Sequence, residues 1–445
     1  MSTFGLWWFL RRRTTDAHDP QRLTTVLAVV AFAFATAALL VVAGGFGAFQ
    51  GRVGDPADGP DASGYPLLAG VASLLLLVPL TTLGGAAARL AVARRDERLA
   101  TLRLAGATTG QVTALTTLDA AAQALTGALV GVGLYGALLP AVALLRFQDR
   151  QFDVAELWVG VPAVLAAVGA VVTIALVSAL ASLRRVAVTP LGVAARTTPP
   201  HLRAVRALVL VAALVAMPVV VHVPFGGGGV AVALVVGVLI LGFAALGAVG
   251  PFVLQIVGRL TVRRARRVET LLAGRRIVDD PRTAWRSVGG VALATFVAGL
   301  VSITALLTPA DDTAHWDAVY LSDLRTGALL TLAIAGVLAA VSTGVMQAGR
   351  AIDQRDATAA LVLAGSEPRT LDRARMRETT IPLTASVGLA TGTMMLLLAP
   401  LLGLGTFQQI PVVLELLVAI GASAALVVVG AWAAGLVARR TLPTP

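Results

Sequence analysis

Apolar residues run along this chain in long blocks interrupted by short charged segments. Marking every charge leaves ten stretches long enough to cross a bilayer: about 23–49, 66–88, 120–145, 157–183, 207–225, 230–258, 287–308, 326–349, 380–402 and 411–438. A helix needs about 20 mostly apolar residues to cross the roughly 30 Å hydrocarbon core. Barrel strands would alternate apolar and polar side chains over about ten residues. These blocks do not alternate, so the pattern predicts helices. Ahead of them, Phe4, Leu6, Trp7, Trp8, Phe9 and Leu10 precede Arg11, Arg12 and Arg13. That order is the reverse of a cleaved signal peptide, and it predicts an amphipathic interfacial segment over 1–22. Asp19 and Pro20 then supply an N-cap and a first-turn proline for the first spanning helix.

Composition excludes a soluble protein. Of 445 residues 57% are hydrophobic and only 13% charged, against roughly 25% charged in a soluble domain. All 35 basic residues are Arg, and Cys is absent. Disulfides and thiolate metal sites are therefore excluded. So is a G-x-x-x-x-G-K-[ST] phosphate loop, whose Lys reaches the nucleotide phosphates. Threading the ten helices alternately from an inner amino terminus leaves 31 Arg inside and four outside: Arg52, Arg146, Arg150 and Arg325. Cytoplasmic flanks collect Arg in this way. Both termini are therefore expected on the cytoplasmic side of a multi-pass plasma-membrane protein. The formal +11 resolves into +18 inside (31 Arg against 13 acids) and −7 outside (four against 11). Helix flanks account for the basic pI, and no nucleic-acid partner is expected. His18, His201, His222 and His315 are scattered, so no metal site is expected. Glu156 and Glu415 read as helix-end charges that snorkel to the interface.

A shift of 259 residues brings Glu97 through Gly106 onto Asp356 through Gly365, with Ala100, Leu102, Leu104, Ala105 and Gly106 recurring identically. The same shift carries Asp119 onto Glu378, and helices 1 to 4 onto helices 7 to 10. The expected architecture is an all-α polytopic membrane protein of about ten transmembrane helices. Two parallel four-helix repeats, 23–186 and 285–440, are joined by a linker with connector helices 5 and 6 (187–258) and a cytoplasmic interfacial segment (259–284); a tail spans 441–445. On the inner side helix 2 continues through Leu99, Leu102 and Ala105 on one face. Gly106 can end it in the left-handed conformation. Thr108 and Gln111 fit a capping box for the following helix. In the second copy Gly365 ends the helix, Ser366 is the expected N-cap and Pro368 lies in the first turn. Each repeat thus carries a helical elbow, and two matched elbows fit a partner present twice. Gly127 with Gly131, and Gly388 with Gly392, form G-x-x-x-G pairs that let helices approach closely. Ser386 and Ala390 stand 259 residues after the first pair.

The segment from Arg94 to Thr108, reading RRDERLATLRLAGAT, resembles the cytoplasmic motif of FtsX-like permeases, the membrane subunits of MacB-type ABC transporters. The runs 188–196 and 271–276, with Asp280, Pro281 and Arg282, resemble actinobacterial members of that family. The resemblance implies that a cytoplasmic ABC ATPase, in two copies, docks on the elbows. The residues expected there are Glu97, Leu99, Leu102, Arg103, Gly106, Ala107 and Thr108, with Asp356, Leu361, Gly365, Ser366 and Glu367 in the second copy. Asp119 and Glu378 are expected to be structural or coupling carboxylates beside them. ATP and magnesium belong to the partner, so this chain is not expected to be an enzyme or to hold a cofactor. It would serve export or extraction of a hydrophobic, lipid-like or peptide-like compound by mechanotransmission. The alternative is a regulatory subunit relaying the ATPase state to an extracytoplasmic partner. Gaps of about 51–65 and 308–325 are too short for the large outer domain of many family members.

Overall fold

The computed structural model describes residues 20–54, 64–93, 108–187, 228–304, 315–353, 360 and 362–402, with six single positions between Leu414 and Val429. Among them the chain forms helix α1 (Pro20–Arg52), α2 (Gly64–Ala93) and α3 (Thr109–Ala143), then the two-residue strands β1 (Arg146–Phe147) and β2 (Arg150–Gln151). There follow the single turn α4 (Val154–Leu157), then α5 (Gly160–Ala187), α6 (Gly228–Arg264), α7 (Val268–Asp279), α8 (Pro281–Thr304), α9 (His315–Asp353) and α10 (Pro368–Leu402). Eight of the ten apolar stretches fall in helices. The fifth lies outside the described residues, as do most of the tenth and nearly all of the amino-terminal segment. Among the described residues, five segments are long and apolar enough to cross a membrane: Thr24–Arg52, Gly64–Gly85, Thr113–Ala143, Val154–Leu180 and His315–Arg350. This is a membrane protein.

Local sequence sets the helix ends. Pro20 and Pro281 open α1 and α8 at the position where a missing N–H goes unnoticed. Asp280 caps α8, its Oδ1 accepting from the Thr283 N–H at 3.0 Å. Thr108 caps α3 from an extended backbone (φ −72°, ψ 154°). Its Oγ1 accepts from the Gln111 N–H at 3.3 Å, while the Gln111 side-chain oxygen accepts from the Thr108 N–H at 3.0 Å. The expected capping box is present. Asp153 and Glu156 form a second one around α4.

Two helix groups share one core. In the first, α1 is packed between α2 and α3, and α5 closes against both of those. In the second, α8 packs on α9 and α10, while α6 and α7 brace α10. The groups meet where α9 lies along α2 and α1. Small residues dominate the interior: Ala28, Ala31, Ala124, Ala128, Ala292 and Ala339 are fully buried. Large ones such as Leu129, Val161 and Leu165 face outward and are more than half exposed. Lipid tails are as apolar as leucine, so close packing of small residues holds such helices together.

Gly127 and Gly131 act as expected. A Cβ on Gly127 would stand 2.9 Å from the Val29 carbonyl oxygen, and one on Gly131 2.6 Å from that of Ala33. Gly388 and Gly392 differ: a Cβ on either meets nothing within 4 Å. The buried face of α10 is instead formed by Ser386 and Ala390, both 0% exposed. A four-residue glycine spacing marks a stripe on a helix, and the neighbouring stripe faces the core here.

Candidate functional site

Of the expected elbow and carboxylate residues the structure describes Thr108, Asp119, Gly365, Ser366, Glu367 and Glu378, on the first turns of α3 and α10 and the residues before them, called here the elbow end. Gly365 closes the second elbow. Its φ is +90°, a region open to glycine at little steric cost. The Ala364 N–H donates to the Ala360 carbonyl, and the Gly365 N–H to that of Val362. Ser366 is not the N-cap of α10. The Thr370 and Leu371 N–H groups both donate to the Glu367 carbonyl, which puts Glu367 at the cap and Pro368 at the first helical position. Proline fixes that start, and Ser366 is left one residue outside the helix. Thr108 stands at the matching exit of the first elbow. Glu97, Leu99, Leu102, Arg103, Gly106, Ala107, Asp356 and Leu361 lie outside the described residues.

Leu363 is the side chain that sequence reasoning left out of the site. It is 89% exposed, with the half-exposed Val362 beside it. Its counterpart at a shift of 259 is Leu104, which recurs identically in the sequence.

Below the elbow, Glu378 ties four helices. One carboxylate oxygen accepts from Arg276 of α7 at 2.9 Å, and the other lies 3.7 Å from Arg350 of α9. Arg350 also donates to the Thr283 carbonyl of α8. Glu269 of α7 reaches back to α10, its oxygens 3.8 Å from Arg373 and 3.9 Å from Arg377. Arg377 also donates to the Thr270 hydroxyl. Gly274 seats α7 against α6, since a Cβ there would lie 2.9 Å from Val262. A displacement of α10 therefore carries α7, α8 and α9 with it. Asp119 is the eleventh residue of α3 and Glu378 the eleventh of α10, and α10 begins 259 residues after α3. Glu378→Gln is expected to lower stability by about 1–3 kcal/mol, because the charged hydrogen bond to Arg276 is weakened and the ion-pair contact with Arg350 is lost. An SDS unfolding titration in mixed micelles checks it.

At the opposite end, the hairpin end, a second polar network contains residues the sequence left as loop charges. β1 and β2 pair Arg146 with Gln151 and Phe147 with Arg150. Gln148 and Asp149 turn the chain at φ 56° and 59°, the type I′ geometry that matches strand twist. Arg52, 2% exposed, fills the space behind this hairpin. It donates to the Phe147 carbonyl (3.1 Å), the Gln151 carbonyl (3.0 Å), the Gln148 side-chain oxygen (3.3 Å) and Glu156 (2.7 Å). Its guanidinium carbon lies 4.3 Å from the Phe152 ring centroid. Glu156 is thus an ion-pair partner and capping residue, not a snorkelling end charge. Asp323 of α9, 6% exposed, accepts at Oδ2 from the Tyr65 hydroxyl of α2 (2.7 Å) and the Gln148 N–H (2.6 Å). It links the two helix groups.

No curated protein and no solved structure matches the chain. A family match covers α2 to α5 and so takes in the first elbow, Asp119, Gly127 and Gly131. Residues 67–190 match the FtsX-like permease C-terminal family.

Proposed function

We propose that this chain is the permease subunit of an ABC transporter in the cytoplasmic membrane, driven by a separate ATPase dimer docked on the two elbows. The family match over 67–190 carries the reading, because proteins of that family work with such ATPases. Leu363 and Val362 supply apolar contact at the second elbow, and Leu104 is the equivalent in the first. Glu378 and Glu269 give the docked partner a stiff connection into α7, α8 and α9. In this reading the elbow end is cytoplasmic and the hairpin end faces outward. Two four-helix repeats joined by a two-helix connector form a pseudo-dimer whose units rock about the α2–α9 seam as nucleotide binds and is hydrolysed. The common offset of α3 and α10, the matched depths of Asp119 and Glu378, and the buried Ser386 and Ala390 support the repeat. The work moves or extracts a hydrophobic, lipid-like or peptide-like compound.

Leu363 is 89% exposed and can be changed without disturbing the core. Leu363→Asp combined with Leu104→Asp is expected to cut co-purification of the ATPase at least about tenfold, the equivalent of about 1.4 kcal/mol. Gly106→Pro with Gly365→Pro is expected to abolish it, since proline cannot adopt a φ near +90°. Undiminished co-purification from correctly inserted protein overturns the docking site. Cargo movement in liposomes with the ATPase present separates a transporter from a regulatory subunit.

A further inference from the structure

Between α1 and α2 on one side and α8 and α9 on the other lies a half-open cavity of about 210 Å³. Phe147 and Phe152 of the hairpin segment close its end. An apolar cavity of about 150 Å³ stays dry and takes up benzene, so this one has room for a short alkyl chain or a small ring system. Its walls are almost wholly apolar, and the polar ones are mostly occupied. The Ser73 hydroxyl donates to the Ala69 carbonyl, and the Thr331 hydroxyl to that of Gly327, each on its own helix. Asp323 is the charged residue on the wall.

That carboxylate is poised for a cation. Both donors converge on the same carboxylate oxygen at 2.7 and 2.6 Å. Tyr65 and the Gln148 amide are neutral, so Asp323 gains hydrogen bonds from them without a balancing charge. Arg52, the arginine buried nearby, is paired with Glu156. An anion in an apolar wall is costly unless it is paired.

We propose that this cavity binds a cationic amphiphile, its apolar portion filling the space between the helix groups and its ammonium pairing with Asp323. The proposal rests on the permease reading and narrows its hydrophobic cargo to one bearing a positive charge. Binding tests it without the ATPase, so failure here leaves the docking experiment to be judged separately. The full chain in lipid nanodiscs is irradiated with diazirine-bearing dodecylamine, dodecanol or dodecanoate, and labelled peptides are mapped by mass spectrometry. The amine is expected to label cavity-lining segments of α1, α2 and α9 at least about tenfold more than the alcohol or the acid, as befits a charged hydrogen bond. Asp323→Asn should bring amine labelling down to the alcohol's level while the alcohol's stays constant. Asp323→Glu should retain the amine preference. Gly327→Leu should reduce cavity labelling by all three probes. Equal labelling by the three headgroups, labelling confined to the outer helix surfaces, or an Asn variant that still prefers the amine overturns the proposal.

Discussion

Replacing Arg52 with Met is expected to destabilise the protein by about 3–5 kcal/mol, the usual consequence of removing one partner of a buried ion pair. Arg52 is 2% exposed and donates to two backbone carbonyls, Gln148 and Glu156. Methionine fills much of the volume but donates nothing. It leaves the Phe147 and Gln151 carbonyls and a carboxylate facing an apolar side chain. Lysine should recover only part of the loss, because one ammonium cannot reproduce the planar fork of donors. Adding Glu156→Gln to Arg52→Met should return part of the stability, because in the single variant Glu156 is left with only the longer contact to Arg150 at 3.8 Å to offset its charge. SDS unfolding titrations of the four proteins measure these differences. A Met variant as stable as wild type would show that the hairpin end is held together by its aromatic side chains alone.

Gly131→Leu is the second large expectation. The glycine sits where α3 crosses α1, and the nearest obstacle to a Cβ is the Ala33 carbonyl oxygen at 2.6 Å, with the Thr36 Cβ at 2.7 Å. A backbone carbonyl within a helix cannot rotate away, so the two helices must separate along their whole contact. Overpacking typically costs about 1–3 kcal/mol, and a rigid backbone obstacle puts this site at or above the top of that range. The expected result is loss of the monodisperse peak on size-exclusion chromatography in detergent. Gly392→Leu is the control, since a Cβ there meets nothing within 4 Å, and it should elute as wild type. Equal behaviour of the two variants would refute the assignment of α3, and not the glycines of α10, to the close crossing.

The contrast between these glycines shows what the sequence could and could not disclose. Four-residue spacing is visible in a sequence, but the rotation of a helix about its axis depends on its neighbours. Ser386 and Ala390, found by offset from Gly127 and Gly131, identify the buried face where the motif does not. Helices were legible because their apolar blocks are long and charge-free. The Thr108 cap and the turn at Gly365 were legible because both are local chemistry. Ser366 was misjudged by one residue because Ser and Glu both precede Pro368, and the proline decides the register. The hairpin escaped notice, since Gln148 and Asp149 are not the Asn-Gly pair that advertises a type I′ turn. Arg52 and Asp323 were counted by side of the membrane. Their burial arises from contacts across about 100 residues for Arg52 and about 260 for Asp323 and Tyr65, which no local window contains.

Both helices that follow the elbows have the same length. α3 and α10 are 35 residues each, which at 1.5 Å per residue makes rods about 52 Å long. The hydrocarbon core is roughly 30 Å thick, and about 40–45 Å with headgroups. In the proposed reading, rods of this length exceed the hydrocarbon core and hold their elbow ends at or beyond the lipid surface. In that reading a water-soluble ATPase grips the elbow ends, and a swing there passes along both rods toward the far leaflet.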